Sequence, residues 1–393
     1  MKPTKTVIIG AGARAIAFCK FIADNPQSAS LVAIADTNVL KASFLSDHFN
    51  LHAIVTSDSE ELMQRNDIDA VLIATPDFAH VNPAVVALKS RKNVYLEKPL
   101  ATTLEDCDSI IAAASTEAIC YLGFNLRHVH VYEKINEIIH EGLLGKITTI
   151  EANEWYYGGK TYFRRWNRFR RYGGGLWLTK ACHDFDIITW IAGANPVSVY
   201  ATAGLSHYNA LSNAGPRCRD CKLKTTCPDY YDVNQSVDHW FDEAWRQLQL
   251  KMDQEGSMAP DICLFNSDKD TFDNGMAIIN YANGIRATYT VNVLAARTTR
   301  QMRIVGNKGL LEADTESGKI VLTCRHTNKT TTYDLNDRII DLHNGADSKI
   351  LTDFFNICQN GGIPRSGLAD GRLAVQIALA ATLSSDNNNV VHI

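Results

Sequence analysis

No stretch of the 393 residues offers the roughly 20 consecutive apolar side chains that a membrane-spanning helix requires. An excess of one charge is also missing: 39 Lys and Arg stand against 43 Asp and Glu, a formal net charge of −4, which excludes a general polyanion-binding surface. Cysteine is thin, ten residues over the whole chain, too few for a disulfide scaffold. No three-part secretory segment precedes the first strand-like run, so a reducing cytoplasm is the expected setting. One local exception to the even charge is RRWNRFRRY at 164–172, where arginines and aromatics interleave. It is short and leads straight into three glycines, which favours a folded active-site or interface loop over a nucleic-acid patch.

What the chain does hold, from its start, is alternation. TVIIGAG at 6–12 reads as a buried strand ending in a glycine turn, ARAIAFCKFIAD as a helix, and LVAIAD at 31–36 as a second strand. Apolar strand, helix and apolar strand within so short a span describe a βαβ unit and a parallel sheet. AIVT at 53–56, DAVLIATP at 69–76 and VYLEKP at 94–99 continue the rhythm. Beyond about residue 123 it changes: KITTIEANEWYY at 146–157 is a long strand, and Asn283-Gly284 sits between two alternating stretches as a hairpin signal. The expected fold is α/β, with an N-terminal Rossmann-type parallel sheet over 1–123 and a C-terminal α/β domain over 124–393. The second domain is expected to carry a large, open, mainly antiparallel sheet, an irregular insertion at about 201–274, and two closing helices.

The turn GAGARA is an acceptable form of the G-x-G-x-x-G/A fingerprint. Gly10 makes the strand-to-helix turn, Gly12 leaves space for a pyrophosphate, and Ala13 and Arg14 open the helix whose N–H groups would face it. Asp36, at the end of the next strand, can accept both ribose hydroxyls and would repel a 2′-phosphate. NAD is therefore expected, with NADP left open. Thr75, Pro76 and His80 follow the third long apolar strand, where ligands of such sheets bind; His80 could equally cap or pack locally.

Two further places suit chemistry. Glu97-Lys98-Pro99 puts a lysine on a constrained strand exit, either as a cleft donor or as a surface lysine paired with Glu97. GGGLWLTKACHDFDIITWIAG at 173–193 reads as three glycines and one continuous helix. Along that helix Thr179, Lys180 and His183 would share a surface, and a neutral histidine there could take a hydroxyl proton. A capped or buried structural histidine is the plain alternative. Tyr156, Tyr157, Tyr162, Arg164 and Trp166 could form a polar aromatic wall or a packed loop.

Together, GAGARA, EKP at 97–99, GFNLR at 123–127 and the GGG run followed by H-D-F-D at 183–186 resemble the Gfo/Idh/MocA oxidoreductase family. The resemblance implies oxidation or reduction of a sugar, sugar derivative or cyclitol, and an open sheet that often supports a homodimer or homotetramer. It implies that Lys98 touches substrate and nicotinamide, that His183 is the acid/base, and that Asn125 and Arg127 border the cleft. This chain departs from the family's D-x-G-x-H motif, carrying Thr179 for the aspartate and Ala181 for the glycine. Lys180 then becomes a candidate to polarise substrate or lower the proton affinity of His183.

Cys218, Cys221 and Cys227 form a Cys-x2-Cys pair with a third cysteine close behind. A structural zinc site there would need a fourth ligand that the sequence does not identify, and free thiols or a redox pair remain alternatives. Asp347, in HNGAD at 343–347, reads as a helix cap. Besides net dehydrogenation, two functions stay open: a glycoside-transforming enzyme that oxidises its sugar transiently, and a non-catalytic dinucleotide-responsive binding protein.

Overall fold

The computed structural model describes residues 2–336 and 342–393. The first sheet contains β1 (Thr4–Ile9), β2 (Ala29–Ala35), β3 (Ile54–Thr56), β4 (Ala70–Ile73), β5 (Asn93–Leu96) and β6 (Cys120–Leu122). All its pairings are parallel, in the order β3-β2-β1-β4-β5-β6. Helices α1 (Ala13–Asp24), α2 (Val39–His48), α3 (Ser59–Gln64), α4 (Val81–Lys89) and α5 (Leu104–Ala113) make the crossovers. The inner strands are apolar throughout because both sides are covered: Val7, Ile9, Val71 and Ile73 join one core, Ile8, Leu72 and Tyr95 the other.

Strand order reverses between β1 and β4, and the Gly10 turn lies at that crevice. Gly10 has φ +95°, and a Cβ there would lie 2.7 Å from the backbone of Ala74 and Thr75. Only glycine satisfies both demands.

The second part of the chain contributes α6 (His130–His140), β7 (Ile147–Trp155), α7 (Arg170–Gly173), α8 (Leu176–Thr179), α9 (Cys182–Ala192), β8 (Pro196–Gly204) and α10 (Trp240–Gln254). It continues with β9 (Asn274–Tyr281), β10 (Arg286–Asn292), β11 (Thr299–Gly306), β12 (Gly309–Asp314), β13 (Lys319–Cys324), β14 (Thr330–Asp334), α11 (Ala346–Asn360), α12 (Leu368–Asn387) and β15 (Val391–His392). These strands build a nine-stranded sheet, β14-β13-β12-β11-β7-β10-β9-β8-β15, in which the β7–β10 pair is parallel and the other pairs antiparallel. Two-residue periodicity is plain in β9, where Ala277 and Ile279 are buried while Met276 and Ile278 are exposed. Among the described residues no helix is long and apolar enough to cross a membrane.

Three features differ from the sequence expectation. The stretch expected to be irregular carries α10, whose Ala244 is buried in the core beneath the first sheet. Helix α11, late in the chain, also packs against the first sheet rather than the second: Phe355 stacks on Phe21 of α1 with ring centroids 5.8 Å apart, and Phe354 meets Tyr95 edge-on at 5.7 Å. Finally, the helix expected after the three glycines is broken into α8 and α9 at Lys180 and Ala181. Lys180 at φ −114° leaves helical geometry, and its side chain turns to a buried carboxylate on β7.

Candidate active site

The N-terminus of α1 is open. Gly12 caps it with no side-chain hydrogen bond, and a Cβ on Gly12 would meet only the Ala74 carbonyl, at 3.9 Å. Space beside the helix-start amides of Ala13 and its neighbours is what a pyrophosphate needs, because the helix dipole and unpaired N–H groups favour an anion there. Asp36 lies beside the same turn; its carboxylate accepts the Ala11 amide at 2.7 Å and the Asn38 amide at 2.8 Å. Each oxygen keeps lone-pair capacity for a ribose hydroxyl. Across the crevice Thr75 follows β4 with its buried hydroxyl unpartnered among the described residues, and Pro76 continues the chain in extended conformation. These residues fit a dinucleotide.

Several expected cofactor contacts are instead committed elsewhere. Arg14 donates from Nε to Glu97 at 2.8 Å and from its terminal nitrogens to Asp347 at 2.9 and 3.1 Å. Asn125 donates to the same Asp347 carboxylate at 2.7 Å, and His343 pairs with it at 2.9 Å. Burial works against the charge on Asp347, but Arg14 and His343 outweigh it and hold the carboxyl far below the usual range. Asp347 is therefore no helix cap: Gly345 occupies the N-cap of α11, and the aspartate ties α11 to the first sheet. Arg14, Glu97 and Asn125 are joined in that tie. His80 is likewise a staple. It is fully buried, with Nδ1 2.7 Å from the Pro99 carbonyl and Nε2 3.1 Å from that of Thr75; burial favours the neutral ring, whose single N–H donates to one of these two carbonyls, so its contacts are to the backbone of the two strand exits.

The helix break has a chemical result. Thr179 O, released from helical pairing, accepts the Lys98 ammonium at 2.8 Å, which fixes Lys98 at the cleft floor. His183 lies in the first turn of α9, 6% exposed, with Nδ1 buried and unpartnered among the described residues. Burial, then the nearby charges of Lys98, Arg300, His343 and Lys180, push its proton affinity well below the ordinary histidine value. The ring is neutral at physiological pH and can accept a proton.

Lys180 does not share a helix face with His183 as the sequence suggested. Its ammonium pairs with Glu154 at 2.9 Å and rests 3.8 Å from the centroid of Tyr156. Burial lowers its proton affinity, but Glu154 more than reverses this and keeps it charged. Sequence reasoning missed the group behind it. Glu154 on β7 and Arg300 on β11 are register partners, 2.5 Å apart, and Arg300 also pairs with Asp184 at 2.9 Å while the Tyr289 hydroxyl donates to Asp184 at 2.9 Å. A charged residue following Ile150 and Ala152 on one face of β7 was the available signal.

Asp77 was also missed. It is buried just past Pro76, hydrogen-bonded to Thr179 and close to Lys98; burial pushes its carboxyl up to about 7, against the pull of Lys98 and Thr179. A carboxyl thus meets the motif at Thr179, supplied by the first domain. Asp186 on α9 is held by Arg127 at 2.6 and 2.9 Å, so Arg127 builds structure.

The cysteines do not form the expected metal site. Among the described residues no group of three or more His, Cys, Asp or Glu is arranged to hold a metal. Cys221 Sγ accepts the Gly215 amide at 3.2 Å, and Cys218 faces the Arg164 guanidinium at 3.7 Å, a cation that disfavours a second one. Cys227 joins neither contact and packs against the core.

Known proteins align with this arrangement. YteT of Bacillus subtilis (strain 168), provisionally named an oxidoreductase, is 32% identical over 274 residues, 65% of this chain and 62% of that protein. The 2,7-anhydro-N-acetylneuraminate hydratase of Mediterraneibacter gnavus is 28% identical over 38% of this chain and 40% of its own length. The chain thus matches less than two thirds of the length of either curated relative. A levoglucosan dehydrogenase solved with NADH and levoglucosan shares the fold, with a TM-score of 0.77 at 19% identity, covering 100% of this chain and 99% of that one. The description "Oxidoreductase family, NAD-binding Rossmann fold" matches residues 4–124, and "Oxidoreductase family, C-terminal alpha/beta domain" matches residues 136–393. On two domain matches that together span almost the whole sequence, the chain belongs to the Gfo/Idh/MocA oxidoreductase family.

Proposed function

We propose that the protein catalyses reversible oxidation of a secondary hydroxyl on a sugar, sugar derivative or cyclitol, with NAD preferred over NADP. The observation that carries this reading is a neutral histidine, His183, on which Lys98, fixed by Thr179 O, acts as the strongest nearby charge, in a protein whose α1 N-terminus is open. When bound, the dinucleotide supplies the hydride acceptor or donor. His183 takes the hydroxyl proton at Nε2, and Lys98, anchored on Thr179 O, donates to the substrate oxygen and stabilises charge developing on it. Lys180 positions the Tyr156 side of the cleft through Glu154 and adds to the field that keeps His183 neutral. The sugar-derivative class is supported by the names of the hydratase relative and of the levoglucosan dehydrogenase.

Reduced-nicotinamide absorbance, followed with NAD and a panel of cyclitols, aldoses and glycosides alongside product analysis, tests the reading. A substrate-dependent rise is expected. Conversion of a sugar with no accumulated reduced dinucleotide would instead favour transient oxidation, the second reading, for which the hydratase relative is the specific support. Dinucleotide binding without turnover of any sugar would favour a binding protein.

Asp36 underlies the choice of dinucleotide. Asp36→Asn keeps an acceptor for the Ala11 amide but removes the charge that would repel a 2′-phosphate. The NAD-to-NADP ratio of kcat/KM is expected to fall by roughly tenfold or more, the worth of one charged hydrogen bond. An unchanged ratio would place the discrimination elsewhere.

We also infer self-association through the uncovered face of the large sheet. Val197, Tyr200, Met276 and Ile278 are exposed there, and Tyr200 is paired in register with Ile278, giving a contiguous apolar strip. A cytoplasmic setting follows from the cofactor, which is an intracellular metabolite.

A further inference from the structure

The arginine-rich run at 164–172 is spent on local structure, with one exception. Arg164 donates to the carbonyls of Ile262 and Asp229 at 3.1 and 2.8 Å, Arg168 to those of Asp268 and Arg165 at 2.9 and 3.0 Å, and Arg170 pairs with Asp386 at 2.7 Å. Arg171 is exposed, over the rings of Phe169 and Tyr172. Arg165 is different. Its guanidinium, half-buried, has no hydrogen-bond or ion-pair partner among the described residues, and its central carbon lies over the Trp245 ring on α10, 4.7 Å from the centroid.

The contact with the Trp245 ring spends none of the guanidinium N–H groups in a hydrogen bond. Around it stand Tyr156, Tyr162 and Tyr231; the nearest acidic influence, Asp242, is a solvent-exposed side chain and the weakest of those named. Burial accordingly lowers the proton affinity of Arg165. A desolvated cation without a counter-charge is costly, and an anionic ligand removes that cost.

Position identifies which ligand. Tyr156 and Tyr162 meet edge-on at 6.4 Å; Tyr156 carries Lys180 on its face, and Tyr162 feels Lys180 and Asp77. Next in sequence, Trp166 touches Phe78, the residue after Asp77. Through Tyr156 and Tyr162, Arg165 lies on the Lys180 side of the site, one tyrosine removed from Lys180.

We propose that the N–H edge of Arg165 binds a carboxylate of the substrate, which makes the preferred sugar an acidic one, a uronate or uronate glycoside. A planar carboxylate matches one guanidinium edge in a two-point contact. The inference rests on the sugar-oxidoreductase reading but concerns recognition, so binding tests it separately from hydride transfer.

Isothermal titration of the NAD-loaded protein with D-glucuronate and D-galacturonate, against D-glucose and D-galactose, reads the preference. Uronates are expected to bind roughly tenfold or more tightly than their neutral partners, the scale of a charge-assisted contact. Arg165→Gln should bring the ratio to about one, Arg165→Lys should restore part of it, and NAD affinity should stay unchanged in both variants. Equal binding of acidic and neutral sugars by the unsubstituted protein, or a preference that survives Arg165→Gln, overturns the proposal. Weakened NAD binding in Arg165→Gln assigns the guanidinium to the dinucleotide's pyrophosphate and overturns it as well. Because no turnover is required, failure here leaves the redox reading to the absorbance assay.

Discussion

His183→Ala is expected to lower turnover by about 10²- to 10⁴-fold, the usual contribution of a positioned acid/base, while dinucleotide affinity is unchanged. Asp36, expected to hold the ribose, is fixed by backbone amides of its own domain. The pH profile supplies a second check. Burial and then Lys98, Arg300, His343 and Lys180 lower the proton affinity of His183 well below the ordinary value, so the base form persists as pH falls through about 6.5. Oxidation should hold its rate there, and the acid limb of kcat/KM should lie lower. The linkage has the matching sign: the native ring resists a proton that the unfolded chain accepts, so this histidine's contribution to stability is present above about pH 6.5 and declines as pH falls below it. An Ala variant with unchanged turnover, or an acid limb centred at or above 6.5, would remove His183 from the role.

Glu154→Gln carries the second large effect. Glu154 is fully buried and is the common carboxylate for Lys180 and Arg300, whose side chains are only 9% and 10% exposed. Without its charge, two cations share a desolvated site, with Asp184 left to answer Arg300 alone. Breaking a buried ion pair by removing one partner costs about 3–5 kcal/mol, which should appear as a clear drop in the urea midpoint. Adding Lys180→Met to Glu154→Gln should recover part of the loss, since it removes one stranded cation. A loss below about 1 kcal/mol would mean that water already screens the pair, as at a surface.

The first sheet was readable because both its faces are covered, leaving apolar runs and a glycine turn that local spacing can recognise. The hairpin at Asn283-Gly284 was equally local, β9 and β10 lying on either side of it. What escaped depends on contacts distant in sequence. Lys180 sits in a helical pattern, and only Glu154, on another element, explains why the helix stops there. Arg14 looked like a phosphate ligand because it follows Gly12, yet its partner Asp347 is 333 residues away. His80 was left between contact and packing, and two carbonyls from separate turns decided it. Lys98 and His183 were legible through the family's motifs, whereas Asp77 and Arg165 have no motif and stand out only through their surroundings, Asp77 as a buried carboxyl with one oxygen unpartnered among the described residues and Arg165 as a half-buried cation beside Trp245.

Helix α11 has a bearing on how the protein is made. On a ribosome the first sheet emerges early, but the helix that covers part of it, and the Asp347 carboxylate that answers Arg14, come only after residue 345. Until then Phe21 and Tyr95 lack the Phe355 and Phe354 rings that shield them. The amino-terminal half must therefore wait, partly uncovered, through most of translation, which makes it the natural client of a chaperone and a poor candidate for folding when expressed alone.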